Sequence, residues 1–187
     1  QHCSLLVDAA ELVADPQVRN RGTIGGDVAH GDPGNDHPAV MLALDATIVV
    51  RGPNGQRELA ANGFFMGTYW TALEEHDILV ALKIPAQKPG VGYGYNKLKR
   101  KTGDYAVAGS PVVVEMDGDI IRDIRIGLTN VAACAIRAEA AEDAAASMGQ
   151  YSTATGNIRP GTCRQGGPPL SLRKLHAGVA GCIGRAL

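Results

Sequence analysis

Aromatic residues are scarce in this 187-residue chain, at 4% of the sequence with one Trp and two Phe. Any core must therefore be filled chiefly by Val, Leu, Ile and Ala. No apolar run approaches the ~20 residues that span a bilayer. The N-terminus is an amphipathic stretch with acidic residues and shows no signal-peptide pattern. The chain begins at Gln1 rather than Met, so it is expected to be a fragment or a processed product. Its cysteines, Cys3, Cys134, Cys163 and Cys182, show no Cys-x-x-Cys spacing. That argues against a zinc or iron–sulfur site in the chain and reads as reduced cytosolic thiols. Acidic residues are missing altogether after Asp143. The segment 149–187 carries five basic residues, which leaves 13 basic against 19 acidic residues on the body of the chain. An acidic body gives no general case for nucleic-acid binding.

What is present is a glycine- and proline-rich segment between two apolar stretches, Arg19-Asn-Arg-Gly-Thr-Ile-Gly-Gly-Asp-Val-Ala-His-Gly-Asp-Pro-Gly-Asn-Asp-His-Pro38. Ile24 and Val28 flank the Gly25-Gly26 pair. Paired glycines allow positive φ and close approach of main chain to another group, and successive free N–H groups form an anion-sized concavity. A ligand-contacting turn and an ordinary surface loop both fit the pattern. His30, Asp32, Asp36 and His37 also invite a metal reading, but their spacing is loop-like and defines no ligand geometry.

Around this segment the pattern gives an amphipathic helix over 4–14, ended by Asp15-Pro16, and a second helix over 38–44 capped by Asp36. Strands over 47–51 and 56–60 flank the turn Pro53-Asn54-Gly55. A short helix over 62–69 carries Phe64 and Phe65, and a buried strand over 77–84 is stopped by Pro85. A Gly/Pro-rich linker over 86–94 marks an internal boundary. Strands over 93–101, 111–116 and 120–127 follow, the last two joined by a hairpin at Asp117-Gly118. An alanine-rich helix covers 132–147. The fold class is α+β with mostly antiparallel strands. Segment 149–187, with eight glycines and three prolines, shows no apolar period and is expected to be atypical, either disordered or frame-shifted.

Thr23-Ile-Gly-Gly-Asp27, followed by Ala29-His-Gly-Asp-Pro-Gly-Asn-Asp-His-Pro-Ala39, resembles the second FAD-binding segment of the flavoprotein (medium) subunits of molybdenum hydroxylases. The likeness continues through Asp77-Ile-Leu-Val80, Ile84-Pro85, Tyr95-Asn-Lys-Leu-Lys-Arg-Lys-Thr-Gly-Asp-Tyr-Ala106 and Ile126-Gly-Leu-Thr-Asn-Val131. It covers residues 4–147 and is strongest toward the carbon monoxide dehydrogenase branch. It implies the C-terminal part of a PCMH/vanillyl-alcohol-oxidase-type FAD-binding domain over residues 1–86. A small antiparallel-sheet and helix domain of the CO dehydrogenase flavoprotein C-terminal type would follow over 91–148. The family's first FAD motif, an Ala-Gly-Gly-x-Ser-type loop, is absent from this chain.

The resemblance implies FAD contact by the Thr23, Ile24, Gly25, Gly26 and Asp27 turn, and by Asp36. Leu79, with Ile78 as its neighbour in the strand, would lie beside the flavin, and Tyr105 near the isoalloxazine. A family lysine falls at Lys97, with the choice among Asn96, Lys97 and Lys99 left open. No nucleophile–base pair or acid–base couple is evident, as expected where a cofactor does the chemistry. The resemblance further implies a [2Fe–2S] small subunit and a molybdopterin-bearing large subunit, arranged as a dimer of heterotrimers. Such a complex would be cytoplasmic, with the inner face of the membrane as a place of association. Alternatives are a subunit of a xanthine-, nicotinate- or aldehyde-type hydroxylase, or a truncated module that keeps the fold without the cofactor.

Overall fold

The structure is a computed structural model that describes residues 3–86, 88–118 and 120–147; the expectation for segment 149–187 lies outside the described residues. Helix α1 (Ser4–Leu12) buries Leu5 and Ala9. It ends two residues earlier than the periodicity suggests, because Val13 is extended. Asp15 does not merely stop it: its carboxylate caps a new short helix, α2 (Pro16–Arg19), by accepting from Val18 N–H at 2.9 Å. Helices α3 (Ile24–His30) and α4 (Asp36–Ala43) follow. Every residue of α4 is buried, as befits a helix with no polar face. Its N-cap is Asn35, so Asp36 sits inside the first turn rather than capping it.

Strands β1 (Thr47–Gly52) and β2 (Gly55–Ala60) form the expected hairpin, Thr47 opposite Ala60 and Gly52 opposite Gly55. The helix expected over 62–69 is not formed. Gly63 turns at φ +89°, and the chain enters β3 (Phe65–Gly67), paired with β4 (Trp70–Thr71). Burying Phe64 and Phe65 side by side, edge to face at 5.1 Å, outweighs a weak helical pattern interrupted by glycine. Strand β5 (Ile78–Lys83) closes the sheet β2-β1-β5. It is an edge strand and not a buried one: Ile78 is 67% exposed and Val80 45%. A continuous apolar run cannot tell the two apart.

The second sheet has the order β6-β7-β8-β9, from β6 (Val91–Leu98), β7 (Ala108–Asp117), β8 (Ile120–Leu128) and β9 (Ile136–Arg137). Strand β6 stops at Leu98, three residues short of the expected end, and a turn containing Gly103 at φ +83° follows. One face of this sheet, through Val113, Val91, Tyr93 and Tyr95, joins the core built on α1 and α4. The other face, through Val112, Val114, Ile124 and Ile126, packs with Ala141 and Ala145 of α5 (Glu139–Ser147). Helix α5 starts seven residues later than alanine content suggests. Residues 136–137 are drawn into β9 against Gly127 and Leu128. Arg137 then pairs twice with Glu142, at 2.6 and 2.7 Å, while Glu142 accepts the Ile126 N–H at 2.7 Å. All pairings between these strands are antiparallel, and the fold is α+β.

The two sheets therefore share α4. Gly127 makes this possible, because a Cβ there would overlap the backbone carbonyl of Ala39 in α4.

Candidate functional site

Thr23 is the N-cap of α3 in extended backbone, and its Oγ1 accepts from Gly26 N–H at 3.0 Å. Asp27 N–H donates to the Thr23 carbonyl. Gly25 and Gly26 thus form the first helical turn. The positive-φ turn expected for them is not there; it falls instead at Gly31, φ +64°, which ends the helix. Ile24 and Gly25 N–H find no acceptor among the described residues, and free amides at a helix start face the positive end of its dipole outward. Inside the protein, a Cβ on Gly25 would meet Leu79 Cδ2 at 3.5 Å, an ordinary contact, whereas one on Gly26 would press on the capping Thr23 Oγ1 at 3.0 Å.

Leu79 thus lies against the start of α3 and is partly buried on the core, while Ile78 points to solvent. Strand alternation separates the two candidates as it must. Asp27 carries a second tie: its carboxylate meets His37 Nδ1 at 2.6 Å, and Asn35 Nδ2 donates to its carbonyl at 3.4 Å. His37, set aside with the metal reading, is a strut between α3 and α4. Among the described residues, no group of three or more His, Cys, Asp and Glu could hold a metal ion.

Asp36 and Lys97 come together. Lys97 Nζ donates to Asp36 Oδ2 at 2.7 Å and to the Leu12 carbonyl at 3.1 Å, with side chains only 2% and 4% exposed. Tyr95 OH donates to the other Asp36 oxygen. Burial first, then the Asp36 charge, hold the Tyr95 phenol far above its ordinary range. The charge pair is satisfied within the protein. Among the three neighbours Asn96, Lys97 and Lys99, Lys97 shares the inward face of β6 with Tyr95. Tyr95 was not singled out in the sequence, although its i−2 spacing from Lys97 was the available signal.

Tyr105 lies in the loop after β6, not in a strand, and is 65% exposed. Its ring sits beside Gly34: a Cβ there would stand 3.2 Å from Tyr105 Cδ1. The segment 31–35 is shaped by Asp32, whose carboxylate accepts Gly34 N–H at 2.9 Å. Thr23–Asp27 with Leu79, the buried Asp36–Lys97 pair and Tyr105 with Gly34 thus lie along the course of one segment, from α3 to the start of α4.

The same segments are matched by family models. Residues 1–87 match the FAD binding domain in molybdopterin dehydrogenase, and residues 93–153 match the CO dehydrogenase flavoprotein C-terminal domain. The carbon monoxide dehydrogenase medium chain of Hydrogenophaga pseudoflava is 58% identical over 72% of this chain and 47% of its own length. The nicotine 6-hydroxylase medium subunit of Paenarthrobacter nicotinovorans is 36% identical over 76% of this chain and 50% of its own. Among solved structures, carbon monoxide dehydrogenase from Hydrogenophaga pseudoflava, lacking the Mo-pyranopterin moiety of its cofactor, superposes with a TM-score of 0.75. It is 60% identical, over 76% of this chain and 50% of that one. The chain spans about half the length of the relatives it matches. With the segment that holds α3 and α4 and the second sheet matched in order by the two family models, the chain belongs to the FAD-binding (medium) subunit family of molybdenum hydroxylases and is closely related to carbon monoxide dehydrogenase medium chains.

Proposed function

We propose that this chain is part of the FAD-binding electron-transfer subunit of a molybdenum hydroxylase of the carbon monoxide dehydrogenase kind, an oxidoreductase subunit. It would accept electrons from the [2Fe–2S] centres of a small partner subunit and deliver them to an external acceptor. A molybdopterin-bearing large subunit would oxidise the substrate, in a dimer of heterotrimers. FAD, when bound, supplies the redox chemistry, and the protein supplies binding and orientation. The observation that carries this reading is the pair of unpartnered amides, Ile24 and Gly25, beside Leu79 in a segment matched by the FAD-binding model. Such donors suit an anionic phosphate group. Thr23 keeps its hydroxyl hydrogen for a ligand while its lone pair caps the helix. The Asp27–His37 contact fixes how α3 presents those amides. Asp36 and Lys97 support the site from beneath, and exposed Tyr105 borders the flavin end. Carbon monoxide as substrate is favoured over nicotine-type substrates by the higher identity to the former relative.

We expect residues 1–86 and 91–148 to act as the two working parts of the subunit. No described helix is long and apolar enough to cross a membrane, and we place the complex in the cytoplasm. The test is flavin absorbance per mole of full-length subunit. Gly25→Val adds carbons to a Cβ already touching Leu79 and should lower flavin content sharply; Gly25→Ala should still yield folded subunit. Undiminished flavin in the Val variant removes the start of α3 from the site.

A further inference from the structure

The motif Ile126-Gly-Leu-Thr-Asn-Val131 plays no part in the cofactor reading, yet the end of β8 is the most heavily tied corner of the site. Thr129 is fully buried, and its Oγ1 shares its one hydrogen between the Pro33 and Asn35 carbonyls, at 2.7 and 2.5 Å. Its main chain exchanges hydrogen bonds with Gly109 at the start of β7, at 2.9 and 3.2 Å. Asn130 N–H donates to the Pro33 carbonyl at 2.7 Å, and its Nδ2 donates to the Ala106 carbonyl at 2.6 Å. Asn130 adopts φ +58°, a left-handed conformation that Asn tolerates better than most residues. Two successive side chains therefore bind two loops that are far apart in sequence: 33–35, ahead of Asp36, and 105–106, which carries Tyr105. Neither residue reaches the start of α3. What they hold is the seat of the Tyr105 ring against Gly34.

We propose that Thr129 and Asn130 are positioning residues: they clamp the Tyr105 segment to the 33–35 segment and thereby set how far the flavin edge of the site is closed to solvent. The geometry separates their shares. Thr129 fixes the 33–35 side, which is buried. Asn130 alone reaches the Tyr105 side, through one amide donor. Removing that donor frees the exposed loop while leaving the β7–β8 pairing in place. The closing of the flavin edge rests on the reading that Tyr105 borders FAD; the clamp itself does not.

The experiment uses the full-length flavin-loaded subunit. Asn130→Gly keeps the left-handed backbone without strain and deletes the amide. Asn130→Asp keeps size and backbone tolerance but loses the donor. Thr129→Ser retains the hydroxyl and serves as the conservative control. Hydrogen–deuterium exchange over residues 99–107 should quicken about five- to tenfold in both Asn130 variants, the opening expected from one lost hydrogen bond, and stay parental in Thr129→Ser. Iodide quenching of flavin fluorescence should rise in the Asn130 variants toward that of Tyr105→Ala, and Asn130→Gly should add nothing further in a Tyr105→Ala background. Parental exchange and quenching in both Asn130 variants overturn the proposal. So does quenching that rises equally when Tyr105 is already absent. Faster exchange in Asn130→Gly together with parental quenching in Tyr105→Ala upholds the clamp and overturns instead the placement of Tyr105 at the flavin.

Discussion

Lys97 is held by a buried ion pair and a main-chain carbonyl, so its removal has a consequence for stability and, on the proposed reading, for the flavin. Its ammonium and the Asp36 carboxylate are both nearly inaccessible to water and hold each other at 2.7 Å. Lys97→Met leaves that carboxylate buried and uncompensated, which costs roughly 3–5 kcal/mol. Urea unfolding of the purified subunit should register that loss, and pairing the change with Asp36→Asn should recover part of it. In flavin-loaded subunit the same uncompensated negative charge should lower the flavin midpoint potential by tens of millivolts, on the scale of about 59 mV per tenfold for one electron. An unchanged potential would separate the pair from the flavin. Tyr95 supplies a second residue-level outcome. Its phenol ionises far more readily in the unfolded chain than in the native protein, because burial and the Asp36 charge oppose the phenolate. The unfolded state therefore binds fewer protons above pH ~10, and stability is full below that pH and falls as pH rises through it. Alkaline titration at 295 nm should show that Tyr95→Phe removes a phenol that ionises only on unfolding.

At the scale of elements, Gly127 controls how closely β8 approaches α4. A methyl group there would meet the Ala39 carbonyl, which is main chain and cannot rotate away. Gly127→Ala should cost at least the ~1–3 kcal/mol of an overpacked core, seen as a lower urea midpoint with little change in the m-value. How much of the fold was legible in the sequence follows from the same elements. The β1–β2 hairpin and the β7–β8 hairpin announce themselves through local turn chemistry, and both form where expected. Residues 62–69 and 132–138 do not, because their state is decided by distant partners: the core that takes in Phe64, and the β8 edge that recruits Ile136 and Arg137. The Thr23–Asp27 segment was recognisable as a motif, but its glycines read as a turn because sequence cannot show that Thr23 would cap a helix through Gly26. Asp36 and Lys97 were each picked out separately; that they meet depends on β6 lying beside α1 and α4, which no local pattern encodes.

For the whole molecule, α4 belongs to the first matched region and packs against β7 and β8 of the second. Its flanks are α1 on one side and β7–β8 on the other, with Lys97 of β6 reaching across to Asp36 and to the end of α1. The FAD-binding match ends at residue 87 and the C-terminal match begins at 93, so the covalent link between them is short. Cleaving the chain between 86 and 91 should therefore not release two separate bodies. The pieces should stay associated through size-exclusion chromatography and come apart only in denaturant; elution as two independent species would show that the shared helix does not join them. The fully buried α4 thus behaves like the inserted strand of a split reporter: one half supplies it, the other supplies the groove that Gly127 keeps open, and neither half has a finished interior without its complement.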